Sequence, residues 1–181
     1  LRCDMYYSVI KKCDIADGPG VRVTLFVSGC THHCEGCFNP ETWDFQYGEP
    51  FTGETEAEIM EALSPDYIAG LTLLGGEPLE YANWTALLPF LREMRARFPH
   101  KNVWCYTGYL FDRDILDDFC EKWVDMKAFL SCLDVIVDGE FIQAQKNISL
   151  RFRGSENQRI IDVQASLRQG KTVLWEDGES R

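Results

Sequence analysis

The stretch VRVTLFVSGCTHHCEGC, running from Val21 to Cys37, decides how this chain is read. Its first half, Val21–Ser28, is a β-branched and aromatic apolar run, the composition of a strand buried on both faces. Gly29 ends that run, and Cys30, Cys34 and Cys37 follow in C-x3-C-x2-C spacing. A reactive loop set directly on the carboxyl end of a buried strand is where α/β folds collect their chemistry.

The same arrangement recurs downstream. Ala69–Leu74 is a second predicted strand, stopped by Gly75-Gly76-Glu77-Pro78. Asn102–Tyr106 is a third, ended by Thr107-Gly108, and Val135–Val137 a fourth, ended by Asp138-Gly139. Helical patterns fall between them. One covers Glu54–Leu63, with Thr52 or Thr55 as cap. Another runs from a cap at Asn83 to about Phe98, where Pro89 argues for a kink or a late start. The last covers Asp112–Phe129 as one or two helices. Strand–helix alternation predicts right-handed crossovers and a mainly parallel sheet. Residues 159–163 and 172–175 are each candidates for a short further strand. With no repeat and no low-complexity linker, the 181 residues are expected to form a single domain.

Composition narrows the function. Apolar residues make up 45% and charged residues 26% of the chain, as in ordinary globular proteins. No apolar run approaches the ~18 residues of a membrane span. The first residues lack the apolar core of a signal peptide, and Met5 is a candidate natural start after a short upstream extension. A cytoplasmic location is therefore expected. A formal net charge of −11 disfavours nucleic acid as a partner. Of eight cysteines, three crowd the loop at Cys30–Cys37, while Cys3, Cys13, Cys105, Cys120 and Cys132 are scattered. A secreted disulfide framework is not indicated, so the crowded three read as metal or redox ligands.

Three thiolates can hold three irons of a cubane cluster and leave the fourth open for chemistry. The alternative is zinc, completed by His32, His33 or a distant cysteine; against it, the paired C-x2-C knuckles common in zinc sites are missing. Each histidine alone reads as a polar loop residue.

The C-x3-C-x2-C loop after the first strand resembles the radical S-adenosylmethionine superfamily. In that superfamily a [4Fe–4S] cluster on the three cysteines, here Cys30, Cys34 and Cys37, binds S-adenosylmethionine and cleaves it reductively. The usual aromatic residue before the third cysteine is replaced by Gly36, and Phe38 follows instead. Gly75-Gly76-Glu77 is similar to the motif that contacts the methionine amino group. Asp17-Gly18-Pro19-Gly20-Val21-Arg22 is similar to a signature of enzymes that activate glycyl-radical enzymes. Together with LLGGEPLE, WCYTGY, DVIVDGEF and RFRGSENQ, these segments resemble, from about Tyr6 to Val163, the family that activates anaerobic ribonucleoside-triphosphate reductases.

That resemblance implies an incomplete (partial) β/α barrel with a core of about residues 6–163 and an extension over 164–181. It implies a protein substrate, the anaerobic reductase, on which a glycyl radical is installed, and a flavodoxin or ferredoxin as electron donor. It also implies that Gly36, Cys37, Phe38, Gly75, Gly76, Glu77 and Asp138 contact the cofactor, although Asp138 reads equally as a turn residue. A side chain at position 76 is expected to block the cofactor while leaving cluster assembly intact. Activation of a different glycyl-radical enzyme such as pyruvate formate-lyase, a small-molecule mutase, or a zinc-stabilised interaction module are the competing readings.

Overall fold

The computed structural model describes residues 5–177; Cys3 and the last four residues lie outside them. The described residues form one seven-stranded sheet: β1 (Tyr6–Asp14), β2 (Val21–Val27), β3 (Glu49–Pro50), β4 (Ile68–Gly75), β5 (Asn102–Tyr106), β6 (Val135–Asp138) and β7 (Arg159–Asp162). Their spatial order is β3-β1-β2-β4-β5-β6-β7. The four central strands β2, β4, β5 and β6 run parallel, as the alternating pattern predicted. The flanking pairs β1/β2, β1/β3 and β6/β7 are antiparallel.

The crossovers are α1 (Gly53–Leu63), α2 (Tyr81–Arg97), and a π-helix over Phe111–Phe119 that runs into the single turn α3 (Cys120–Lys122) before α4 (Met126–Ser131). Thr52 and Thr55 together close the N-terminus of α1 as a reciprocal capping box. Helix α2 starts at Tyr81, two residues before the expected cap, and continues through Pro89. Burial of Trp84, Leu87, Leu88, Phe90, Leu91 and Met94 outweighs the roughly 3 kcal/mol that an internal proline costs.

Side chains of a strand alternate between faces. Val23, Leu25, Val27, Leu71, Leu73, Val103, Cys105 and Ile136 join the main core with the helices. Trp104, Val135 and Val137 belong to a second cluster with Tyr106, Phe152, Ile160 and Trp175. Buried Arg22 also serves that second face: it donates to Thr72 Oγ1, Leu71 O and Pro19 O, and its guanidinium lies over Trp104. These bonds tie the 17–20 turn down onto the sheet.

After β7, Asp162 caps α5 (Val163–Gln169) by accepting from Ala165 N, and Gly170 ends it in the left-handed region. The chain then returns beside β7, where Trp175 N donates to Ile160 O and the Trp175 ring packs on Trp104 and Phe152. Residues 163–175 thus cover the sheet rather than trailing from it; the expected strand over 172–175 is reduced to one bridge, Ile161–Leu174.

Candidate cofactor site at the strand ends

The parallel register brings the ends of the central strands level: Val27 faces Gly75, and Tyr106 faces Val137. Four loops therefore meet at one edge. The cysteine loop is the longest, and backbone bonds fix its base: Gly29 N donates to Thr42 O and Cys30 N to Trp43 O, while Gly76 N and Glu77 N donate back to Val27 O and Gly29 O. Thr31 donates its N–H and hydroxyl to Glu80 Oε1 at 3.0 and 2.7 Å. His33, with φ 52°, stacks on Trp43 at 4.4 Å.

Cys30, Cys34 and Cys37 line one open-mouthed cavity with Phe38, Gly75, Gly76, Glu77, Tyr106, Thr107, Gly108, Glu140, Phe141 and Gln158. Cys105 and Cys132 are buried elsewhere, and Cys13 is exposed. Among the described residues, no three His, Cys, Asp or Glu side chains converge on a single ion. A cubane asks for no such convergence, because each thiolate binds a different iron. Three thiols on one loop lining one cavity are a donor set that fits that group. Burial holds the Cys30 thiol up to about 12, with Glu77 and Glu80 adding to the effect, and burial also raises Cys34. Iron binding at these sulfurs would displace protons.

Glu77 is 1% exposed, and its carboxylate is saturated by the protein. Oε1 accepts from His32 Nε2 at 2.7 Å, Gly108 N at 2.7 Å and Thr107 Oγ1 at 2.8 Å. Oε2 accepts from Leu79 N at 2.8 Å and lies 2.9 Å from the same Thr107 hydroxyl. A carboxylate has about four acceptor positions, so little capacity is left for a ligand's ammonium group. Glu77 joins three loops.

A Cβ on Gly76 would sit 2.6 Å from Gly29 O and 2.9 Å from Thr42 O. Glycine is required there first by the cysteine loop itself, so a side chain at position 76 disturbs the cluster ligands as well as any ligand beside them. Gly36, with φ 73°, sits where a Cβ would meet Gln143 Oε1, and it does not line the cavity. Asp138 departs furthest from expectation. It is fully buried, does not line the cavity, and takes Arg159 on both oxygens (3.1 and 2.6 Å) and Phe111 N on one (2.8 Å). Its carboxylate braces β6 against β7 and the π-helix, which leaves a ribose role without geometric support.

The sequence offered His32 only as a polar loop residue or a zinc ligand, and Glu140 and Gln158 only as members of the DVIVDGEF and RFRGSENQ segments. His32 lies between the carboxylates of Glu77 and Glu140, and these lift it to about 9 against the opposing effect of burial. Gln158 accepts from Gly154 N and Ser155 N and donates to Gly139 O, while Asn157 donates to Glu140 O. The polar 153–158 run thus folds onto the loop after β6 and shapes the cavity. The one signal in the sequence was that each lies on or beside a strand-end loop.

A profile described as a 4Fe-4S single cluster domain matches residues 16–161. The chain is 44% identical over 158 residues to the anaerobic ribonucleoside-triphosphate reductase-activating protein of Enterobacteria phage T4, covering 86% of this chain and 93% of that one. It is 41% identical over 158 residues to the protein of the same name from Vibrio cholerae, covering 86% and 97%. The Escherichia coli K12 protein of that name is 42% identical over 155 residues, covering 84% and 93%. The matched span takes in the cysteine loop and every strand-end loop facing it, and the chain belongs to the anaerobic ribonucleoside-triphosphate reductase-activating protein family, built on a 4Fe-4S single cluster domain.

Proposed function

We propose that this chain activates an anaerobic ribonucleoside-triphosphate reductase by installing a glycyl radical on it. The observation that carries the reading is the cavity in which the three thiols of one loop face the Gly75-Gly76-Glu77 loop, in a chain of this family. Cys30, Cys34 and Cys37 would hold the [4Fe–4S] cluster. When bound and reduced by one electron, that cluster would supply the reductive cleavage of S-adenosylmethionine to methionine and a 5′-deoxyadenosyl radical, which would take one hydrogen atom from a glycine Cα of the partner and leave as 5′-deoxyadenosine. The chain's own residues position the reactants. Phe38, Gly75, Gly76, Thr107 and Gly108 offer a narrow apolar and backbone-lined wall on which S-adenosylmethionine is held.

Such a radical abstracts nearly any hydrogen within reach, so selectivity rests on geometry. A second cleft shares Phe38, Leu74, Tyr106, Phe141 and Gln158 with the first and continues past Asp17, Phe152, Arg153 and Gly154. It gives a glycine-bearing segment of the reductase a way in, as an open-sided, partial barrel requires. The electron donor is a low-potential flavodoxin or ferredoxin, and the setting is the cytoplasm. No described helix is long and apolar enough to cross a membrane.

The test mixes the reconstituted, reduced protein with S-adenosylmethionine and the reductase without oxygen. A glycyl doublet in the electron paramagnetic resonance spectrum, with deoxyadenosine formed in step, is the expected result. Zinc without iron or sulfide in the purified protein would refute it in favour of an interaction module. Turnover of a small metabolite with no protein radical would move the function to another radical enzyme.

A further inference from the structure

The geometry points to His32 as the positioning residue that locks the cysteine loop to the carboxyl ends of β4 and β6. His32 stands between two of the proposed cluster ligands, yet its ring turns away from the role of ligand. Nε2 lies 2.7 Å from Glu77 Oε1 and Nδ1 lies 2.8 Å from Glu140 Oε1. Both are hydrogen-bond distances, so the imidazole bridges the two carboxylates. The His32 side chain is 9% exposed, Glu77 1% and Glu140 53%, so one end of this bridge is anchored in the interior and the other at the cavity mouth.

Two further features are built round the ring. The edge of Tyr109 packs against it, with centroids 4.5 Å apart. Gly108 lacks a side chain where a Cβ would come within 2.7 Å of Nε2. Glu77 is in turn held by Leu79 N, Thr107 Oγ1 and Gly108 N. Through one imidazole the cysteine loop is thereby fastened to the loops after β4, β5 and β6. Loops carrying metal ligands are ordinarily oriented by hydrogen-bonded neighbours that do not touch the metal. Cys30 and Cys34 flank His32, so fixing it fixes the spacing of two thiols and lowers the ordering cost of cluster uptake.

This inference deepens the reading proposed above, and its test separates the two. His32→Ala and His32→Gln are compared with the parent, first without cluster and then loaded. In cluster-free protein, hydrogen exchange of residues 29–38 is expected to quicken about tenfold or more in His32→Ala, the effect of losing one charge-assisted hydrogen bond. His32→Gln, which can still donate to Glu77, should recover part of that protection. In loaded protein, iron release to a ferrous chelator should accelerate by a similar factor in the same order. The shift of the reduced cluster's resonance on adding S-adenosylmethionine should broaden in His32→Ala. Unchanged exchange and unchanged iron release in His32→Ala would overturn the inference. So would a collapse of global melting that Gln does not relieve, because His32 would then be ordinary core. If the parent takes up no iron, the proposed function fails, while the exchange comparison still decides the role of His32.

Discussion

Glu77→Gln is the sharpest probe of the site, because the isosteric amide removes charge while keeping shape. In the native arrangement two backbone N–H groups, Leu79 and Gly108, point at opposite oxygens of the same carboxylate. An amide has one oxygen, so whichever way it turns its NH2 meets one of those donors. Leaving one buried N–H unpaired costs about 1–3 kcal/mol. The bond to His32 also weakens from charge-assisted to ordinary, which removes about 1 kcal/mol more. Glu77→Gln should therefore lower the unfolding free energy by about 2–4 kcal/mol, a large share of the ~5–15 kcal/mol available to a typical domain. The assay is urea denaturation of cluster-free, fully reduced protein with no S-adenosylmethionine present, so that no ligand contact enters the comparison. A variant with parental stability that failed only to bind S-adenosylmethionine would refute the reasoning and make Glu77 a ligand contact.

Replacing Cys30, Cys34 or Cys37 with Ala should each abolish iron binding, measured as iron and sulfide per chain after anaerobic reconstitution. Cys105→Ala should keep its iron and lose about 1 kcal/mol of stability, because Cys105 is a buried small apolar residue between strands. Gly76→Ala should lose iron as well as S-adenosylmethionine affinity, since the new methyl group strikes Gly29 O and Thr42 O; full iron content would show that the cysteine loop tolerates the contact. Burial and the adjoining Asp14 carboxyl push Asp17 up to about 7. Between pH ~4 and ~7 the folded state binds more protons than the unfolded one, so this group's contribution falls as pH rises through that window. Asp17→Asn should accordingly gain about 1–2 kcal/mol on the parent at pH 8 relative to pH 5, once solvent screening is allowed for, in denaturation midpoints; an equal difference at both values would rule the linkage out.

What the sequence disclosed, and what it withheld, divides along a physical line. The four central strands were legible because burial on both faces writes them as continuous apolar runs. β1 was not, because YYSVIKKCD packs only partly, pairs with β2 through two irregularities of register, and shows no clean alternation. Phe111, Ile115 and Phe119 recur every four residues, which serves an α-helix and the observed π-helix alike. The cysteines could be singled out because a thiol carries its chemistry in its own atoms and a loop fixes its spacing. The resemblance implied ligand roles for Glu77 and Asp138, whereas a carboxylate's role is set by whatever donors reach it. Those donors come from far along the chain: His32 lies 45 residues from Glu77, Gly108 31 residues, and Arg159 21 residues from Asp138. Hydrogen-bond saturation by distant segments leaves no local pattern, so it becomes visible only when the strand ends are brought level. The same reasoning explains His32, whose two carboxylate partners lie 45 and 108 residues away and turn a polar loop histidine into the tie between the cysteine loop and the sheet.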